Sequence, residues 1–279
     1  MPTTIGQHSI TAKEFELFRD YVYKKVGIAL APHKITLVQG RLSKRLRQLN
    51  LNTYKEYYDY MIKDPTGEEE FQLISAISTN VTQFFRESGQ WDFLTEQLPS
   101  ILATKKEKKL RIWSAACSSG EEPYSLAMFL HTHIPDFSQW DIKILATDVS
   151  KRVLTKATSG IYEEKDIQGV PKHLLNSYFT LSKEGEGRVY TAVDQLKNLI
   201  TFRMFNLVYD SFGIFNSSFD IIFCRNVMIY FDGETQQKLI SNYHKVLCND
   251  GLLFVGHSES LTRNKEEFKL LRPSIYQKI

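Results

Sequence analysis

Residues 112–128 read IWSAACSSGEEPYSLAM. The apolar run from Ile112 to Ala116 meets a tight turn built on Ser118, Ser119 and Gly120. A helix then starts at Pro123, with Leu126, Ala127 and Leu130 on one face. Strand, small-residue turn, helix is how an open α/β sheet builds a nucleotide-type site. A phosphate binder would put glycines or a lysine in that turn; this chain puts Glu121 and Glu122 there.

Outward from this stretch the pattern continues. Short β-rich runs alternate with helical ones beyond residue 108: LRIWSAA, IKILAT, ITFRMF, FDIIFC, LLFVG and SIYQKI. That alternation predicts a largely parallel sheet with helices on both faces. One segment breaks the rhythm. Residues 178–198, YFTLSKEGEGRVYTAVDQLKN, carry turn residues and an alternating RVYTAV, which predicts a small antiparallel excursion inserted into the α/β domain.

Upstream, residues 10 to 105 read as helix throughout. Thr11–Glu14, Thr53–Glu56 and Thr66–Glu69 each match the capping-box pattern of a helix start. Behind the first box Phe15, Phe18 and Val22 recur at helical spacing and Gly27 supplies a stop; behind the second, Tyr54, Tyr57, Tyr58 and Met61 do the same. The expected organisation is a helical domain over 1–90 and an α/β domain over 91–279, with a linker helix at about 91–105.

The chain has 279 residues, 42% of them hydrophobic and 24% charged, with a net charge of +3. These values suit a globular protein with a sizeable core, and the charge alone does not argue for nucleic acid. No apolar run approaches the ~20 residues of a membrane span, and MPTTIGQHSITAKEF lacks the basic-then-apolar layout of a signal peptide. Cys117, Cys224 and Cys248 have no metal-ligand or redox spacing. A cytoplasmic protein is the expectation.

The candidate ligand-binding residues leave the ends of successive strands, where such a sheet places its ligand. They are the CSSGEEP turn, Asp148 ending ILATDVS, Asn206 in FNL, and Asn226 and Tyr230 in FCRNVMIYF. A carboxylate at Asp148 suits the two hydroxyls of a ribose. Glutamates in the first turn favour a ligand with a cationic group, and Asn206 and Asn226 offer amides to an adenine edge or an amino-acid moiety. S-adenosylmethionine fits: it has a ribose, an adenine, an ammonium and a sulfonium, and no phosphate. Each residue also has a plainer account. Glutamates in a first helical turn are stabilised by the helix dipole, and an aspartate after a strand is often the cap of the next helix.

The combined strings are more specific. SAACSSGEEPYSLAM, ILATDVS, FCRNVMIYF and GLLFVGHSES, with STNVTQFFRES upstream, resemble the CheR family of chemotaxis receptor methyltransferases over most of the chain. The resemblance implies an N-terminal all-helical domain followed by a doubly wound, Rossmann-like class I methyltransferase domain with an inserted β-subdomain. It implies methyl transfer from S-adenosylmethionine to glutamate side chains in the cytoplasmic domain of membrane chemoreceptors, giving glutamyl methyl esters and S-adenosylhomocysteine, by a monomer. Carried onto this chain, it implies that Glu122 holds the methionyl end, with Glu121 an alternative, and that Asp148 holds the ribose. Asn206-Leu207 and Asn226-Val227 would line the adenosine pocket. Asn80, Thr82 and Arg86 would close it from the helical side, with Arg86 near the substrate carboxylate and Tyr230 close to the methyl. His257 reads as structural.

In KITLVQGRLSKRLRQLN, Val38, Leu42, Leu46 and Leu49 form one helical stripe; Arg41, Lys44 and Arg47 point away from it and Arg45 flanks. A solvated basic face accounts for this, and the resemblance implies instead that the helix meets the acidic receptor. It also implies that the inserted β-subdomain can take up a receptor C-terminal peptide as an extra strand, although SKEGEGR lacks the proline and histidine of that turn in peptide-binding members. Two other functions fit the sequence less well. An amino-group methyltransferase of nucleic acids would carry a Pro-Pro-aromatic string where this chain has CRNVMIY. A non-catalytic adenosyl-binding module would not require Arg86, Asp148 and Tyr230 together.

Overall fold

The structure, a computed structural model, describes residues 9–78, 80–184, 187–261 and 266–279. Their contacts form two compact units, one reaching to residue 78 with Tyr230–Asp232 and the other comprising Asn80–Ile229 and Gly233–Ile279.

The first unit is helical: α1 (Ala12–Val26), α2 (Ile35–Leu49), α3 (Tyr54–Lys63) and α4 (Glu68–Ile77), with a 3-10 turn at Pro32–Lys34. Two of the three capping boxes form. Thr11 and Glu14 exchange bonds at the start of α1, Thr53 and Glu56 at the start of α3, and Gly27 ends α1 in a left-handed conformation at φ 73°. Phe15, Phe18, Val22, Val38, Leu42, Leu46, Tyr54, Tyr57 and Met61 are buried as their spacing predicts, while Tyr58 and Leu49 are only half-buried.

The third box does not form. Gly67 caps α4, and the acceptor for the Glu69 N–H is Asp64 Oδ2 at 2.8 Å. Asp64 also takes the N–H and hydroxyl of Thr66. Glu69 is thereby free to turn inward, where it accepts from Arg45 Nε at 2.7 Å and Nη2 at 2.5 Å.

The second unit begins with α5 (Ser88–Ala103), so the stretch 80–87 is not the continuous helix expected. It continues β1 (Lys109–Ala115), α6 (Glu121–His133), β2 (Asp141–Asp148), α7 (Lys151–Ser159), β3 (Ile161–Glu163), α8 (Lys172–Tyr178), β4 (Phe179–Glu184), β5 (Gly187–Ala192), α9 (Asp194–Lys197), β6 (Ile200–Met204), β7 (Phe219–Cys224), α10 (Gly233–Val246), β8 (Leu247–Val255), β9 (Phe268–Arg272) and β10 (Ile275–Lys278). The main sheet runs β6-β2-β1-β7-β8-β10-β9. Its first five strands are parallel, and β10 is antiparallel to both its neighbours. β9 has no counterpart among the expected strands.

The order of strands reverses beside β1, with β2 on one side and β7 on the other, which opens a crevice at their carboxyl ends. The register sets that crevice level. Ala115 pairs with Thr147 and with Cys224, so the residues that follow emerge side by side. Alternation along β1 loads both faces. Trp113 is fully buried among Phe205, Phe212, Phe215, Phe219 and Tyr243. Trp91, Phe223 and Phe254 stack in series elsewhere in the sheet's packing, the last two with ring centroids 4.3 Å apart.

The insertion is an antiparallel sheet, as expected, but it is larger and less separate. β3 joins it, giving the order β3-β5-β4. Phe179, Tyr190, Ala192 and Tyr162 are buried in the same apolar cluster as β1 and β2, and Phe84 meets the rings of Tyr162 and Phe179 at 5.0 and 5.8 Å. The small sheet therefore shares its core with the α/β unit. Gly185 in the connecting turn lies outside the described residues.

Candidate active site

Three loops converge at the carboxyl ends of β1, β2 and β7. Two of these loops and the segment before α5 carry five of the ten described non-glycine residues with left-handed backbones: Ala116 (φ 66°) and Ser118 (φ 49°) after β1, Asn226 (φ 60°) after β7, and Phe85 (φ 52°) and Glu87 (φ 60°) before α5. Such conformations cost non-glycine residues about 1–2 kcal/mol each, and their clustering marks a place where packing has fixed the backbone for another purpose.

The turn after β1 spends its amides internally. Cys117 N donates to Thr147 O at 2.8 Å, Gly120 N to Cys117 O at 3.1 Å, and Ser118 N to Asp148 Oδ2 at 2.9 Å. Those three N–H groups are closed to a pyrophosphate. Asp148 is buried and accepts a second bond, from Ser150 N at 2.9 Å. Burial holds its carboxyl above the usual carboxylate range, with the backbone N–H groups opposing the shift. Each oxygen keeps a lone pair for a ligand hydroxyl.

Glu122 and Glu121 part company. Glu122 accepts from Ser114 Oγ at 2.7 Å and from Arg225 Nε at 2.6 Å. Arg225 in turn donates through Nη1 to Arg86 O at 2.7 Å and Gln90 Oε1 at 3.1 Å. Glu121 accepts from Ser119 Oγ, at 2.8 and 2.9 Å, and burial raises its pKa although Ser119 opposes the shift. The expected cation partner of Glu122 thus has a protein rival already in place.

The segment 80–87 is stitched to these loops. Ser118 Oγ donates to Asn80 O at 3.2 Å and Phe85 N to Ser125 Oγ at 3.0 Å. Asn80 Nδ2 is buried and has no hydrogen-bond partner, which is an unused donor beside Asp148's turn. Thr82 and Arg86 are half-buried, and Arg86 Nη1 folds back onto Val81 O at 3.1 Å. Asn206 uses its Oδ1 to accept from Val208 N and Tyr209 N at 3.0 and 3.3 Å, which shapes the turn after β6, and Leu207 is buried.

The structure therefore brings Asn80, Thr82, Arg86, Glu121, Glu122, Asp148, Asn206, Leu207, Asn226 and Val227 into one unit. Tyr230 counts with the helical unit, where its carbonyl accepts from Ala29 N at 2.8 Å. His257 is exposed, and its backbone N–H donates to Glu87 Oε1 at 3.3 Å. Sequence reasoning passed over Arg225, Gln90, Glu87 and Glu259. A lone cation closing the apolar run FDIIFC, opposite two glutamates, was the available signal for Arg225.

The basic helix is split in the same way. Lys44 and Arg47 are exposed, but Arg41 is not free of the fold: its Nη1 donates to Ala76 O and Ile77 O at the end of α4. Arg45 serves Glu69. The expectation that Arg41 stands clear of the fold is corrected, and the flanking Arg45 is engaged too, because long guanidinium side chains reach back over an apolar stripe.

Residues 80–276 match the family described as CheR methyltransferase, SAM binding domain, and residues 13–78 match CheR methyltransferase, all-alpha domain. The chain belongs to the CheR methyltransferase family. Its CheR relatives include chemotaxis protein methyltransferase 2 of Vibrio cholerae, 36% identical with 94% of this chain and 91% of that protein covered. Others are the chemotaxis protein methyltransferases of Borreliella burgdorferi, 38% identical over 97% and 95%, and Escherichia coli, 34% identical over 96% and 91%. Like other CheR members, the protein is an S-adenosylmethionine-dependent methyltransferase. None of its described helices is long and apolar enough to cross a membrane.

Proposed function

We propose that this protein methylates glutamate side chains in the cytoplasmic domain of chemoreceptors, leaving glutamyl methyl esters and S-adenosylhomocysteine. The observation that carries the reading is the donor set of the crevice: a buried carboxylate at Asp148, a buried donor at Asn80 Nδ2 with no partner among the described residues, and a turn in which the amides of Cys117, Ser118 and Gly120 are already spent. Those features fit a ribose and an adenine and do not fit a phosphate.

The bound cofactor supplies a methyl group on a sulfonium leaving group. The protein's own residues then have to position and to exclude water. A glutamate has a pKa near ~4.3, so the incoming carboxylate is ionised at neutral pH and no general base is required. Asp148 holds the ribose, Asn80 and Thr82 close over the adenosyl group, and Asn206-Leu207 and Asn226-Val227 border it. Glu122, shared with Arg225, and Glu121 face the cationic end. Arg86 orients the substrate carboxylate by a forked contact, and Tyr230, just beyond the Asn226 loop, is the ring we assign to the transferred methyl.

For docking, the exposed Lys44 and Arg47 would steer an acidic receptor helix at a salt-dependent rate. β4 is an edge strand of the small sheet, open to an added strand from a receptor C-terminal peptide. The decisive experiment incubates the protein, as a cytoplasmic monomer, with methyl-labelled cofactor and receptor cytoplasmic domains. Label that is released by mild base supports the ester; label that resists base, or no transfer at all, rejects it. Titration with receptor C-terminal peptides separately tests the added strand.

A further inference from the structure

The loop that follows β7 is held by a residue to which the proposed chemistry gives no part. Glu259 is buried, 7% exposed, and its carboxylate faces a ring of backbone donors. Oε1 accepts from Val227 N at 3.0 Å, Met228 N at 2.7 Å and Ile229 N at 3.3 Å. Oε2 accepts from Asn226 N at 2.9 Å and from Gly256 N. Successive amides curled around one anion form a nest of the kind that elsewhere holds phosphates. Here an internal carboxylate fills it.

We propose that Glu259 is a positioning residue that sets the backbone of residues 226–229 for cofactor binding. The left-handed Asn226, at φ 60°, is what turns consecutive N–H groups toward one point. The partner loop is built to match: a Cβ at Gly256 would lie 2.5 Å from Asn226 Nδ2, 2.8 Å from Glu259 Oε2 and 2.9 Å from Asn226 N. Only a glycine lets the end of β8 come this close. Without the carboxylate, the buried N–H groups would lose their acceptor, and the loop would have to open to water to satisfy them. Burial raises the pKa of Glu259, and its ring of N–H donors opposes that shift.

This inference rests on the cofactor assignment of Asn226 and Val227, not on the identity of the methyl acceptor. Glu259→Gln is the near-isosteric test. Its amide nitrogen would meet donors at either carboxylate position, so part of the ring is lost whichever way it turns. Three readouts are expected. Binding of S-adenosylhomocysteine should weaken about tenfold or more, with kcat/KM for the cofactor falling in proportion. The KM for receptor should stay within about twofold. In the ligand-free protein, hydrogen exchange should quicken in peptides covering 226–229 and not in those covering β1 and β2. If Glu259→Gln fails to fold, Glu259→Asp keeps the charge but falls short by a methylene, and should show the same pattern with smaller amplitude. Either variant, folded, with product affinity within twofold of the parent protein overturns the proposal, as does a loss confined to the receptor KM. A protein that binds S-adenosylhomocysteine and methylates no receptor would instead overturn the receptor assignment and leave Glu259 as it stands.

Discussion

Arg225 donates its Nε–H to Glu122 at 2.6 Å, with both side chains nearly sealed from solvent at 3% and 10% exposure. This one contact ties the end of β7 to the first turn of α6. Through Nη1 the same guanidinium reaches the carbonyl of Arg86 and the side chain of Gln90. Nη1 also lies 3.6 Å from Glu87 Oε2, so a buried charge network holds the crevice walls, and removing Arg225 strands the Glu122 carboxylate.

Arg225→Met should lower stability by about 3–5 kcal/mol. Adding Glu122→Gln to it should recover part of that loss, because the stranded carboxylate is gone. Urea unfolding of both single variants and the double variant checks this. Strict additivity would mean that the pair is not coupled.

Asn80→Ala is expected to separate binding from stability. The Nδ2 group is buried without a partner in the free protein, so its removal should leave the melting temperature unchanged or raise it. Affinity for S-adenosylhomocysteine should fall by ~1 kcal/mol, and by ~1–3 kcal/mol for Asp148→Ala. Calorimetry that finds both variants binding normally would clear Asn80 and Asp148 from the site.

Glu121 supplies a pH test. Burial raises its pKa in the fold, so the native state binds its proton more readily than the unfolded chain does. Its contribution is most favourable below the ordinary carboxylate range and is lost as pH rises through the raised value. Glu121→Gln should therefore stabilise the protein at pH 7 and make little difference in mild acid, while Ser119 keeps an oxygen to donate to. Thermal unfolding at the two pH values decides; an equal effect at both removes the carboxylate's charge as the cause.

The basic helix gives two classes of variant. Lys44→Glu with Arg47→Glu should raise the KM for receptor, leave cofactor affinity alone and blunt the salt dependence of the wild-type reaction. Arg41→Glu should instead destabilise the helical unit, since it withdraws a donor from the carbonyls of Ala76 and Ile77. Normal receptor kinetics in the first variant would leave the exposed charges as solvated surface.

The central parallel strands β1, β7 and β8 were legible because their apolar runs are largely buried on both faces, and FDIIFC coincides with the observed limits of β7. β9 was not. It is an edge strand with Lys269 and Leu270 exposed, so nothing in its composition separates it from a loop. The third capping box failed on a competitor: Asp64 precedes Thr66 and reaches the amide first. In the crevice, the strings located Asp148 and Asn226 as loop residues at strand ends, but not the bonds among them. A helical wheel says which side chain leaves an apolar stripe; it does not say that Arg41 turns back to a helix end or that Arg225 finds Glu122.

The placement of Trp113 in its aromatic shell has a practical side. All the indoles of the chain, Trp91, Trp113 and Trp140, belong to the α/β unit, and the helical unit has tyrosines but no tryptophan. Intrinsic emission excited at the red edge therefore reports on one half of the molecule alone, while far-ultraviolet dichroism sums the helices of both. Denaturation curves recorded with the two signals will superimpose only if the halves melt together. A gap between them would measure how far the tyrosine-rich half outlives or precedes the other.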